Sequence, residues 1–109
     1  MYRYSRQTLL KEIGPEGQAM LENKKIAIVG VGALGTVAAE LLARAGVGAL
    51  ILIDRDIVEE SNLQRQSLFD EKSVGKSKAS AAEKRIKEIN SEIKVEVHAI
   101  HLNTKNINL

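Results

Sequence analysis

The stretch Gly30-Val31-Gly32-Ala33-Leu34-Gly35 constrains this chain more than any other. It joins a short apolar run, residues 24–30 (KKIAIVG), to residues 33–45. There Leu34, Val37, Ala38, Leu41, Leu42 and Ala45 recur at the spacing of one face of an amphipathic helix. A G-x-G-x-x-G between strand and helix has a physical reason at each glycine. Gly30 permits the tight turn, Gly32 lets the backbone approach a phosphate, and Gly35 lets the helix lie close to the strand. The helix start offers free N–H groups and a partial positive charge to an anion. Gly46 ends the helix, as glycine commonly does. Residues 49–54 (ALILID) form a second strand. Its last residue, Asp54, stands about 20 residues past the loop, where a carboxylate accepts hydrogen bonds from ribose hydroxyls. Among NAD, FAD and ATP, these features alone favour NAD and exclude none.

The rest of the pattern sets the fold class. Residues 5–22 predict two short helices, the first capped by Ser5 with Leu9, Leu10 and Ile13 as its apolar face, broken at Gly14-Pro15. The runs at 24–30 and 49–54 lack alternation, which suits strands buried on both faces of a parallel sheet. Residues 76–89 predict a helix with Ala79, Ala82, Ile86 and Ile89 on one side. Residues 93–98 (IKVEVH) alternate, as a strand with one wetter face does at a sheet edge. Residues 103–109 read as the opening of a further helix. Strands alternating with helices imply right-handed crossovers. The expected fold is α/β: a Rossmann-like three-layer βαβαβ with a parallel sheet, half of a doubly wound fold. Residues 1–23 would form an N-terminal helical arm and residues 24–109 a nucleotide-binding half-domain. No strand is available to pair beside the first, so residues 25–29 would leave an apolar edge open. That predicts a dimer, a strand exchange or a truncated piece of a longer chain.

Composition narrows the function classes. Hydrophobic residues at 44% and charged residues at 28% suit a globular domain rather than disorder. Aromatics are only 3%, so the core must be aliphatic. The net charge of +2 is spread along the chain, without the clustered stripe that nucleic acid requires. With no cysteine there is neither disulfide nor thiolate zinc site within the sequence. No apolar run approaches the roughly 18 residues of a membrane span, and no signal peptide is evident. The expected setting is cytoplasmic. His98 and His101 are expected at the surface rather than on a metal, and Tyr2 and Tyr4 are expected to pack the arm.

Ser61-Asn62-Leu63-Gln64-Arg65-Gln66 turns the choice away from NAD. It lies past the carboxyl end of the second strand, where open α/β sheets bind ligands. Asn62 is a good cap residue for a short turn, which would put Arg65 near that face. Lys76 and Lys78 open the next helix, where a cation opposes the helix dipole unless an anion is present. Asp54, Arg65 and Lys78 are therefore expected to converge on one ligand, the acid on the sugar and the cations on phosphates.

With these pieces in place, the chain resembles the ThiF/MoeB/HesA family, which includes bacterial E1-like enzymes and the adenylation half of ubiquitin-activating enzymes. The matching pieces are Arg3-Tyr4-Ser5-Arg6-Gln7, Gly30 to Gly35, Ala45-Gly46-Val47-Gly48, Asp54-Arg55-Asp56, Ser61 to Gln66, and Val74-Gly75-x-x-Lys78. The resemblance implies an ATP-dependent adenylyltransferase. It would activate the C-terminal carboxylate of a ubiquitin-like or sulfur-carrier protein as an acyl-adenylate, with Mg²⁺ assisting. By resemblance Asp54 holds the ribose. Gly30, Gly32, Ala33 and Gly35 sit against the nucleotide. Asn62, Arg65 and Lys78 contact phosphates with Gln66 nearby, and Arg6 reaches across a homodimer into the neighbour's site. Asp56 helps to shape the loop. Many bacterial members carry glycine where this chain has Ala33. The family's Mg²⁺-placing aspartate, its Cys-x-x-Cys pairs and any catalytic cysteine are not among these residues, so the chain is expected to be inactive alone. An NAD- or FAD-binding oxidoreductase domain and a non-catalytic dimeric binding module remain as alternatives.

Overall fold

The computed structural model describes residues 2–108. Along the chain the elements are α1 (Ser5–Thr8), α2 (Gly14–Glu22), β1 (Lys25–Val29), α3 (Ala33–Ala45), β2 (Ala49–Ile53), α4 (Lys78–Ile89) and β3 (Lys94–His98). Two short 3-10 turns, Glu60–Asn62 and Glu71–Ser73, lie between β2 and α4. The strands form one parallel sheet in the order β1-β2-β3. Parallel neighbours need a long crossover, and α3 and α4 supply the two. The expected βαβαβ order and parallel sheet are thus present.

Strand register explains where the core sits. Side chains alternate across a pleated sheet, so Ile26, Leu50 and Val95 share one face with Ile28, Leu52 and Val97. Leu50 and Leu52 are fully buried there against Ala39, Ala43, Ala81, Ala82 and Ile86 of α3 and α4. Each such leucine contributes about 1.5–3 kcal/mol of burial. The other face carries Lys25, Ala27 and Val29, all exposed, followed by Ala49, Ile51 and Ile53, then Lys94, Glu96 and His98. The molecule measures 41 × 34 × 20 Å. Its short axis matches one sheet and one helical layer, each about 10 Å deep, so two of the three expected layers are present among the described residues.

Several local expectations are corrected. The segment 25–29 is not buried on both faces: β1 is an edge strand whose residues alternate between exposed and half-buried. The open edge expected at residues 25–29 and the edge position expected of residues 93–98 are both present, and only the two-sided burial of the first strand is not. Ser5 does not cap α1; Tyr4 occupies that position, without a side-chain cap. α1 ends after one turn, so Leu9 and Leu10 form no buried face and are 74% and 54% exposed. Residues 104–108 form turns rather than a helix, and residue 109 lies outside the described residues.

The largest correction concerns α3. Its expected apolar face is turned outward, with Leu34 88% and Leu41 62% exposed. The buried side is Thr36, Ala39 and Ala43. Close approach at the glycine loop decides this: a Cβ on Gly35 would stand 1.9 Å from the Gly30 carbonyl oxygen. The helix is pressed onto the sheet along its row of smallest residues. Apolar periodicity finds the widest greasy face, whereas this contact selects the tightest one.

Candidate functional site

The glycine loop is built as its sequence requires. Gly30 has φ +93°, a left-handed backbone that glycine adopts without strain, and its N–H donates to the Ile53 carbonyl at 2.8 Å. Gly32 caps α3 with no side-chain cap bond, so the helix N-terminus faces outward with free donors. Ala33 is the first helical residue and half-buried. Thr36 fixes the turn by donating its hydroxyl to the Gly32 carbonyl at 2.6 Å.

Asp54 clasps this loop. Its Oδ2 accepts the Val31 N–H at 2.7 Å and its Oδ1 accepts the Asp56 N–H at 2.8 Å. Each carboxylate oxygen can accept a second hydrogen bond, so capacity remains for two hydroxyls. Asp54 and Gly30 line a cleft whose far wall is Ile100, His101 and Leu102. Sequence reasoning missed that wall, because nothing in an irregular segment after a strand marks it as facing the neighbouring strand end.

Asp56 links Asp54 to the next helix, since its carbonyl accepts the Lys78 N–H at 2.9 Å. The adjoining cleft is lined by Arg55, Asp56, Glu59, Asn62 and Lys78. Lys78 is only 8% exposed and belongs to neither ion pair among the described residues, Arg44–Glu40 or His98–Glu96. It opens α4 behind the Ser77 cap, where its charge opposes the helix dipole. An anion in this cleft relieves that opposition.

Asn62 starts a turn through its carbonyl but does not cap it with its side chain. It also ends the preceding 3-10 turn, and its Oδ1 accepts the Glu59 N–H at 2.8 Å. Its carbonyl accepts the Arg65 and Gln66 N–H groups, which sends the two side chains in opposite directions. Gln66 turns inward, 4% exposed, with Nε2 3.9 Å from the point where a Gly32 Cβ would sit. Its Oε1 is buried without a hydrogen-bond partner. Arg65 turns outward and donates to the Ser61 carbonyl at 3.1 Å. The structure therefore places Asp54 and Gln66 at the loop and Asn62 and Lys78 in the adjoining cleft, and leaves Arg65 exposed at the surface.

Arg6 is exposed on α1. α1 is tied to the far end of α3 through Gln7, whose Nε2 donates to the Ala45 carbonyl at 2.6 Å. The 13 residues of α3 separate that point from the glycine loop by about 20 Å. The histidines are outer residues: His98 pairs with Glu96 at 2.7 Å, and that hydrogen bond holds the Glu96 carboxyl below its ordinary value. Among the described residues no three histidine, aspartate or glutamate side chains gather in a way that could hold a metal. Nor is any described helix long and apolar enough to cross a membrane.

The geometry fits a nucleotide. Open space lies beside Gly32, where a Cβ would meet only the Gln66 amide nitrogen at 3.9 Å, donors are free at the α3 terminus, and Gln66 has an orphaned amide oxygen beneath the loop. Comparison with known proteins agrees. The sulfur carrier protein ThiS adenylyltransferase of Bacillus subtilis (strain 168) is 50% identical over 107 residues, covering 96% of this chain. A crystal structure of E. coli MccB with ATP superposes with TM-score 0.87 at 39% identity over 94% of the chain. That of E. coli tRNA N6-threonylcarbamoyladenosine dehydratase, TcdA, gives TM-score 0.90 at 35% identity over 96% of the chain. This chain spans 32% of the first relative and of the MccB chain, and 43% of the TcdA chain. Residues 4–109 match the ThiF family, and the chain belongs to it.

Proposed function

We propose that this chain is the ATP-binding part of an E1-like adenylyltransferase, one that activates the C-terminal carboxylate of a ubiquitin-like or sulfur-carrier protein. The observation that carries the reading is the pairing of an open glycine-loop helix terminus with a nearly buried, unpaired lysine in the adjoining cleft. A dinucleotide's pyrophosphate is served by the helix terminus alone. A triphosphate that loses pyrophosphate places more negative charge beside it, and Lys78 stands where that charge would develop.

In this reading Asp54 receives the ribose hydroxyls, and Gly30, Gly32, Ala33 and Gly35 present backbone to the phosphates. The carboxylate oxygen of the protein substrate attacks the α-phosphorus. The bond to the bridging oxygen breaks, pyrophosphate leaves with that electron pair, and an acyl-adenylate remains. Lys78 and the Asn62 side chain hold the leaving phosphates, and Gln66 supports the loop from below. Arg65 joins them by swinging off the Ser61 carbonyl. Mg²⁺ when bound would neutralise phosphate charge. The described residues offer it no ligand cluster of their own, so no step is assigned to it.

Arg6 belongs to the reaction only in trans. An arginine side chain cannot span the length of α3 from the base of the domain to the loop of its own chain. If Arg6 touches phosphate, the phosphate is on a neighbouring copy. A homodimer with two shared sites is therefore part of the proposal.

Calorimetric titration tests the reading, with Mg-ATP and NADH added separately to the native chain and to Arg65→Ala and Lys78→Ala. ATP should bind, and each substitution should weaken it by about 1–3 kcal/mol, as expected for a hydrogen bond to a charged group. NADH binding at least as tight as ATP, indifferent to both substitutions, would overturn the reading.

A further inference from the structure

Two stretches that support the family resemblance lie away from the nucleotide cleft: Arg3-Tyr4-Ser5-Arg6-Gln7, and Ala45-Gly46-Val47-Gly48 between α3 and β2. The fold brings them together. Tyr4 is 3% exposed and lies over Gly46, where a Cβ would stand 2.5 Å from its ring and 2.7 Å from the Gln18 amide. A Cβ on Gly48 would stand 2.0 Å from the Glu22 carbonyl oxygen of α2. The missing side chains of the second stretch are thus the seat of the first and of the helix that follows it.

Hydrogen bonds close the seat. The fully buried Asn90 donates from Nδ2 to the Tyr4 hydroxyl at 2.9 Å and to the Ala43 carbonyl at 2.8 Å. Gln7 and the buried Gln18 both donate to the Ala45 carbonyl, and Gln7 also donates to the Gln18 side-chain oxygen. Arg3 donates to the Ile89 carbonyl at 3.1 Å. The Ala45 and Ile89 carbonyls, in the last turns of α3 and α4, are therefore satisfied by the arm. Arg6 takes part in none of these bonds. α1 has four residues, too few to hold its own shape, so the position of Arg6 is set by Tyr4 and Gln7 on either side of it.

We propose that the two stretches are halves of one latch that fixes Arg6 for a neighbouring copy's nucleotide, making Tyr4, Gln7 and Asn90 positioning residues. This rests on the assignment of Arg6 in trans. The chain has no cysteine, so nitroxide labels at Arg6→Cys and at the exposed Arg85→Cys on α4 report the arm's position without background. The distance distribution should be narrow in the native background and in Tyr4→Phe, which keeps the ring in its seat. It should broaden in Tyr4→Ala and Gln7→Ala, measured well below their unfolding temperatures. A distribution that stays narrow in both overturns the latch.

Mg-ATP titration of unlabelled Tyr4→Ala, Arg6→Ala and the double variant, at concentrations where the chain self-associates, then tests the purpose. Each single substitution should lower affinity about tenfold, a loss in keeping with one charge-assisted contact. The double should lose no more than either, the mark of two residues acting as one. Additive losses overturn the positioning role. Labels that broaden while Arg6→Ala leaves ATP affinity unchanged overturn the assignment of Arg6 itself, and the latch is then an anchor only.

Discussion

At the scale of single residues, the glycines separate close contact from backbone strain. Gly35 sits in a helix, yet a methyl group there would meet the Gly30 carbonyl oxygen at 1.9 Å. Gly75 has φ +88° but nothing within 4 Å of its missing Cβ. Gly75→Ala should therefore cost only the left-handed strain, about 1–2 kcal/mol. Gly35→Ala forces backbone apart and should cost at least the 1–3 kcal/mol or so of an overpacked site. Urea unfolding of both variants checks the order; a milder Gly35→Ala would mean that the loop yields more easily than its contacts imply. Asp54→Asn tests the clasp. An amide has one acceptor oxygen, so its NH₂ must face the N–H of either Val31 or Asp56. The loss should be about 1–3 kcal/mol of stability even without ligand, as for a buried donor left unmatched. If only nucleotide affinity falls and stability does not, Asp54 serves the ligand and not the loop.

At the scale of elements, the 3-10 turn before α4 carries a pH dependence. Slight burial pushes the Asp70 carboxyl up, but bonds from the Ser73 hydroxyl and the Lys72 and Ser73 N–H groups outweigh it and hold it below its ordinary value. A carboxyl lowered in the folded state contributes fully above its unfolded value, about pH 4, and loses that contribution as pH falls through the folded one. Thermal midpoints of the native chain and Asp70→Ala should differ at pH 6 and draw together toward pH 3. A gap that widens on acidification would show that the cap does not depend on the charged form. The elements themselves were legible, because short apolar runs mark the first two strands, alternation marks the third, period 3.6 marks the helices and glycine marks the turns. Their inner faces were less so. Ala39 and Ala43 are buried in place of Leu34 and Leu41 because close approach at Gly30 and Gly35 outweighs apolarity. In the candidate site, the places of Asp54 and Lys78 were legible by position, and that of Gln66 through the resemblance alone. Arg65 was not, because its direction depends on where the 3-10 turn ends. Gln18 and Asn90 gave no warning, since a buried amide breaks no periodicity that a sequence displays.

For the molecule as a whole, the opposition of its two ends would tie ligand binding to assembly under the proposed role of Arg6 in trans. The glycine loop, Asp54 and Lys78 lie at the carboxyl end of the sheet, and the arm with Arg6 is docked at the other end of α3. A ligand that binds only the folded chain stabilises it by an amount that grows with ligand concentration, about 2.7 kcal/mol at a hundred times Kd. With a site complete within one chain, that gain is independent of protein concentration. With Arg6 supplied by a neighbour, ATP binds the associated state more tightly, and linkage requires ATP to promote association in turn. The shift in thermal midpoint at fixed Mg-ATP excess should therefore grow as the chain is raised from well below to well above its self-association concentration. Sedimentation velocity should show a larger associated fraction with ATP than without. In Arg6→Ala the midpoint shift should persist but lose its dependence on protein concentration, since the loop, Asp54 and Lys78 remain in place. A shift equal at every concentration in the native chain would place the whole site within one copy and remove Arg6 from it.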